Sequence, residues 1–149
     1  MTDQLNPLTI ELSDIVGRIN GIVRMLPIMF QSSRRHSLTN NLKEENMIKV
    51  TAMYPYSEGK RFDIDYYCKS HIPMVQKALG PALKSVTVDF GMGGGAPGSK
   101  PAFVAMAHLI FDSIESFQTS FVPHVPEFSK DGPNYTDIKA DVQISEVKM

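Results

Sequence analysis

Between Pro101 and Asp112 the chain reads AFVAMAHLIF, and this run restricts the possible folds more than any other stretch. Its length suits a strand, and among its apolar residues only His108 interrupts. Side chains alternate along a strand. Phe103, Ala105, Ala107 and Leu109 therefore share one face, and Val104, Met106 and Ile110 the other. Both faces are apolar, whereas a face turned to water should alternate with polar residues. Both must be covered.

The flanking segments supply a context for such a strand. Ile48, Val50, Ala52 and Tyr54 alternate and predict a first strand. After the loop 55–59, Asp63 is placed to cap a helix running to Leu79, where Gly80-Pro81 ends it. Leu83 to Phe90 is rich in β-formers at Val86-Thr87-Val88 and predicts a second strand, with AFVAMAHLIF as the third. Asp112 is expected to cap a second helix, Ser113 to about Phe121, which Pro123 and Pro126 break into short turns. Asp131-Gly132-Pro133-Asn134 has the composition of a turn. A fourth strand is expected over Asn134–Lys148, with Ile138, Ala140, Val142 and Ile144 on one face. The order β-α-β-β-α-β is that of an α+β, ferredoxin-like split βαβ fold. Two helices cover one face of a four-stranded antiparallel sheet. The other face is expected to meet a second copy and make a homodimer, unless a helix from the N-terminus covers it.

Composition changes near residue 46. Upstream, Leu12, Ile15, Val16, Ile19, Ile22, Val23 and Leu26 fall at helical spacing and predict an extra amphipathic helix over about 8–26, stopped by Pro27. The polar QSSRRHSLTNNLKEEN that follows reads as linker. The chain thus divides into an N-terminal extension, 1–46, and a domain, 47–149. Lys43-Glu44-Glu45-Asn46-Met47 is encodable by a string that holds a bacterial ribosome-binding site just ahead of an ATG. Two origins stay open for the extension: a true N-terminal helix, or an upstream reading-frame addition with Met47 as the native start.

Net charge is −1, which gives no basic surplus for nucleic acid or an anionic membrane. No apolar run reaches the roughly 18 residues of a membrane span. A single cysteine, Cys68, rules out an internal disulfide framework and fits a reducing cytoplasm, the expected location. The stretch DFGMGGGAPGSKP holds a kinase-like D-F-G and a near match to the dinucleotide fingerprint. Neither survives its context: the glycines sit between two strands, and Pro97 and Pro101 forbid a helix. What remains at Gly91–Gly98 is a loop suited to a lid or a dimer contact.

The candidate chemistry lies elsewhere. Ile64, Cys68, His71, Ile72, Val75 and Leu79 form the apolar stripe of the first helix. His71 stands in its middle, one turn after Tyr67, and Pro73 cannot donate to the Lys69 carbonyl, so a kink is expected just after His71. A histidine on an inward face is either satisfied in the core or serves a cavity. Cys68-x-x-His71 makes half a metal site at most, and no further ligands stand near, so no metal is expected. His108 lies on the third strand, His124 in the irregular segment after the second helix, and Asn134-Tyr135 at the expected start of the fourth strand. Nine methionines, eight phenylalanines and five tyrosines suit an adaptable apolar pocket as well as ordinary core filling.

FDIDYYCKSHIPMVQKALGPALKSVTVDFGMGGGAPG, FVAMAHLIFDSIESFQ and PNYTDIKADVQISEV together resemble the EthD family, named for ethyl tert-butyl ether degradation. The resemblance runs from Met47 to about Val147. It implies a dimeric α/β barrel with a pocket between sheet and helices. Family members are often labelled reductases and occur with monooxygenase systems that degrade ethers and other xenobiotics. Structural relatives include cofactor-independent isomerases, polyketide cyclases and quinone-forming monooxygenases, which use His and Tyr for acid–base work. Other relatives with this barrel bind haem. In the Tyr66-Tyr67…His71-x-Pro73 motif, His71 is then the first catalytic candidate, with Tyr67 and Tyr135 orienting a carbonyl or phenol. His124 corresponds to a helix-adjacent histidine of the cyclases. His108, His124, Asn134 and Cys68 are expected to contact a small hydrophobic ligand. The sequence holds no cofactor motif, and none is expected. The alternatives are a non-catalytic accessory protein for a monooxygenase system and a cofactor-independent isomerase or cyclase.

Overall fold

In the computed structural model, which describes residues 46–149, four strands form one antiparallel sheet in the order β2-β3-β1-β4. The strands are β1 (Ile48–Pro55), β2 (Ser85–Phe90), β3 (Phe103–Phe111) and β4 (Asp141–Glu146). The apolar run of β3 is central: Leu109 sits between Val50 of β1 and Val86 of β2. Among the described residues this is the α+β, ferredoxin-like arrangement expected from the strand and helix order. The expected helix over 8–26 and its linker lie outside the described residues. No helix among the described residues is long and apolar enough to cross a membrane.

The first crossover begins with α1 (Ile64–Tyr66), continues through a π-helical turn (Tyr67–His71) and ends in α2 (Ile72–Leu79). Asp63 caps it as expected, its side chain accepting from the Tyr66 N–H at 2.9 Å. The second crossover holds α3 (Ile114–Phe121), a 3₁₀ turn (Val122–His124) and α4 (Val125–Tyr135). These helices cover one sheet face. Val75, Leu79, Phe111 and Phe117 are buried there, and the Phe111 and Phe117 rings meet edge to face with centroids 5.2 Å apart.

Three local expectations are corrected. Ser113, not Asp112, caps α3, accepting from the Ser116 N–H at 3.1 Å, while Asp112 pairs with Lys84 at 2.7 Å. The helix ends at Phe121 and Pro123 stands in a short 3₁₀ turn, as expected, but no further short turn follows: Pro126 sits in the first turn of α4, where its missing N–H has no intrahelical acceptor to serve. Asp131–Asn134 is not a turn, and Asn134 does not enter a strand: the segment completes α4, and β4 begins only at Asp141. Pro133 lies within α4 near its end, so it removes only one late hydrogen bond. Arg61 then holds the exposed carbonyls, donating to Asn134 O at 3.0 Å and Pro133 O at 2.7 Å.

The loop after β2 connects two paired antiparallel strands, which settles its difference from a phosphate-binding turn. It closes on itself through Gly94 N–H to Ser99 O and Ser99 N–H to Ala96 O, both 3.0 Å, with Gly98 at φ +76°. On the sheet face away from the helices, Met53, Met106 and Ile110 are half-buried, and Gln143, Thr51, His108 and Thr87 stand in register across the four strands.

Candidate active site

The π-helical turn sets the site. The Ile72 N–H reaches back five residues to the Tyr67 carbonyl, in the stretch where Pro73 offers no N–H to Lys69. The distortion therefore lies in the turn ending at His71, not after it. It brings both Tyr67 and His71 inward; they are 2% and 6% exposed. Cys68 consequently faces outward and is exposed, so it leaves the apolar stripe. Cys68 and His71 point to different sides, and among the described residues no group of three His, Cys, Asp or Glu side chains is placed to hold a metal ion.

Behind His71 stands Asp131 of α4. His71 Nδ1 lies 2.8 Å from Asp131 Oδ2, while Asp131 Oδ1 accepts from Tyr66 Oη and Asn134 Nδ2, both at 2.9 Å. Burial alone would raise the Asp131 pKa. The hydrogen bonds from Asn134, His71 and Tyr66 outweigh it, and the carboxyl is held below its usual 3.8. An ionised carboxylate only accepts, so the Nδ1 nitrogen carries the proton in this pair. Burial pushes the His71 pKa below 6.5, against the opposing pull of Asp131. At neutral pH the imidazole is therefore neutral, with Nε2 as a lone-pair acceptor. Among the described residues nothing hydrogen-bonds Nε2.

His71 lines a cavity of about 160 Å³ between the helices and the sheet. Its floor includes Ala52, Tyr54 and Leu109, its helical wall Tyr67, His71, Val75, Phe128 and Tyr135, and its rim Ala140 and Val142. The polar groups converge at one end. Tyr54 Oη and Tyr135 Oη are 3.1 Å apart and buried. The Tyr67 ring is nearly parallel to the His71 imidazole, with centroids 5.1 Å apart and planes at 15°, and Tyr135 lies 4.7 Å from it. Burial pushes the phenols of Tyr54, Tyr67 and Tyr135 upward, so all three stay protonated as hydrogen-bond donors.

Of the residues singled out in the sequence, His71, Tyr67 and Tyr135 come together here. The other four do not line the cavity. His108 is on the opposite sheet face, bonded to Thr51 Oγ1 at 3.1 Å and Asp89 Oδ2 at 2.8 Å. His124 stacks on Phe128 and lies 3.5 Å from Glu127. Asn134 sits behind Asp131 and steadies it, and Cys68 faces out. Sequence reasoning missed Asp131 and Tyr54. Reading Val125–Tyr135 as a helix would have found Asp131, because Phe128, Asp131 and Tyr135 then share a face.

A family model described as EthD domain matches residues 57–139, more than half of the chain. Among solved structures, an EthD-like protein from Ralstonia eutropha JMP134 is 51% identical, covering 70% of this chain and 94% of that one, with a TM-score of 0.68. An EthD family protein from Bacillus halodurans C-125 is 22% identical over 68% of this chain and 99% of that one, with a TM-score of 0.49. A dimeric protein of unknown function and ferredoxin-like fold from Bacteroides fragilis NCTC 9343 is 11% identical over 68% and 97% of the two chains, with a TM-score of 0.42. No curated protein is significantly similar to the chain. The chain belongs to the EthD family.

Proposed function

We infer that this EthD protein is a small enzyme that moves a proton on a small apolar molecule, with His71 as general base. One observation carries the reading: His71, fixed through Nδ1 by Asp131 at 2.8 Å, lines an apolar cavity, and among the described residues nothing hydrogen-bonds its Nε2. A positioned base that is unprotonated at neutral pH is suited to accepting a proton there. Asp131 holds the tautomer and stabilises the imidazolium formed when Nε2 takes a proton from substrate. Tyr135 and Tyr67 are the donors for a carbonyl or phenol oxygen on which charge develops. These residues supply acid–base chemistry, that of an isomerase or cyclase, and they support it more directly than the reductase label carried by the family. The place of such a step beside a monooxygenase system, acting on its substrate or product, fits a cavity with almost wholly apolar walls.

The same walls favour a second reading, a non-catalytic carrier of a hydrophobic intermediate. Deuterium uptake separates the two. Incubation with cyclohexanone in D₂O should place deuterium next to the carbonyl, read by mass spectrometry. His71→Gln should abolish it while circular dichroism stays that of the folded protein. Unchanged uptake in His71→Gln refutes the assignment of the base. Saturable binding with no uptake by the wild type selects the carrier.

Homodimerisation belongs to the same proposal. The sheet face opposite the helices carries Met53, Met106 and Ile110 at half-burial, a surface suited to a second copy.

A further inference from the structure

The charge of the cavity is more specific than its size. Its described lining contains no lysine, arginine, aspartate or glutamate. Asp131 stands directly behind the lining, 2.8 Å from His71. The titratable groups facing His71 are Asp131 and Tyr135 from α4, Tyr67 from the π-helical turn, and Tyr54 across the cavity on β1. The three phenols are neutral donors, and above about pH 6.5 the His71–Asp131 pair carries one net negative charge. An anion entering this space would lose its hydration, meet no cation, and lie close to Asp131. A neutral molecule that brings its own acidic proton meets no such barrier. Its O–H donates to His71 Nε2, and its oxygen accepts from a tyrosine hydroxyl.

The shape narrows the class further. A cavity of about 160 Å³ is the size that accepts a single six-membered ring. Its polar end is built from flat rings, with His71 and Tyr67 nearly parallel. A phenol hydroxyl is already accommodated there, in the Tyr54–Tyr135 pair at 3.1 Å. Resting on the reading of His71 as base, we propose that the cavity selects a neutral single-ring phenol, takes it up with its proton, and rejects carboxylates and phenolates of the same size. Proton transfer then breaks the phenol O–H bond and forms an N–H bond at His71 Nε2. The electron pair stays on the phenolate oxygen, facing the tyrosine donors, and the imidazolium faces Asp131. No oxidant or reductant is consumed.

The test is equilibrium binding to the full chain, read without turnover, so it stands apart from the deuterium-uptake experiment. The probes are 4-nitrophenol, p-cresol and 4-methylbenzoate. 4-Nitrophenol changes charge with almost no change in size. Its affinity should fall more than about tenfold as pH rises through its own ionisation. Over the same window p-cresol, which stays neutral, should bind with constant affinity. 4-Methylbenzoate should bind more than about tenfold weaker than p-cresol. Asp131→Asn removes the repelling charge and should shrink the pH-dependent fall for 4-nitrophenol, with circular dichroism as the check that the variant stays folded. Equal affinity for 4-nitrophenol and its phenolate overturns the proposal, as does tight 4-methylbenzoate binding or a fall that Asp131→Asn leaves unaltered. If charge selection holds but His71→Gln retains full deuterium uptake, the selection stands and the assignment of the base fails.

Discussion

Replacing Asp131 by Asn tests the arrangement on which the site depends. The substitution keeps the side-chain shape and removes the charge 2.8 Å from His71 Nδ1. Two effects now act on the His71 pKa: burial lowers it most, and the bond and charge of Asp131 raise it. A hydrogen bond to a charged partner is worth about 1.5–3 kcal/mol, against about 0.5–1.5 for a neutral one. The loss is thus about 1 kcal/mol for the imidazolium. His71 in Asp131→Asn should titrate lower than in the wild type. Long-range ¹H–¹⁵N correlation spectra of the imidazole, followed against pH, read the change directly. Its consequence for stability has a fixed sign. A histidine with a lowered folded pKa takes its proton in the unfolded chain first, so stability is full above about pH 6.5 and declines as pH falls toward the folded value. In the variant that decline extends to lower pH. The lowered Asp131 pKa contributes stability that is present above about 3.8 and lost as pH falls through its folded value; the variant lacks this contribution. A His71 pKa that is unchanged or raised in Asp131→Asn would refute the reasoning, because it would mean that the carboxylate does not stabilise the imidazolium.

Other consequences are independent of the chemistry. A Cβ at Gly94 would lie 2.7 Å from the Lys100 carbonyl oxygen, whereas one at Gly95 meets nothing within 4 Å. Gly94→Ala should therefore cost about 1–3 kcal/mol in chemical denaturation, and Gly95→Ala should be neutral or stabilising by up to about 1 kcal/mol. Arg61→Ala removes both donors from the end of α4 and should lower stability by about 1 kcal/mol, with a matching fall in Tm. Ile110→Glu places a charge on the sheet face proposed to meet a second copy. Light scattering should then show a dimeric wild type and a monomeric variant, and a monomeric wild type would rule out the proposed pairing.

Much of the fold was legible because strand alternation and helix stops act between near neighbours. AFVAMAHLIF announced a strand with two apolar faces, and β3 forms there, between β1 and β2. Asp63 announced a helix start and caps it. His71 could be singled out because it interrupts an apolar stripe at helical spacing. Errors gathered where a local preference met a stronger tertiary demand. Pro133 and Gly132 favour a turn, yet burial of Phe128 and Tyr135, together with the carbonyl contacts from Arg61, keeps the segment helical. Cys68 fits the stripe of an ideal α-helix, but the π-helical turn places Tyr67 inward in its stead.

By itself the sequence determined the order of strands and helices, the family, and one histidine worth following, since each depends on spacing along the chain or on a run of residue types. The pairing of His71 with Asp131, 60 residues away, was decided only by the tertiary structure. So were the Tyr54–Tyr135 hydroxyl pair and the exclusion of His108 and His124 from the cavity. Sequence spacing does not fix which side chains meet across a core. That depends on which face each element buries and on how the helices settle on the sheet, and only packing selects among those arrangements.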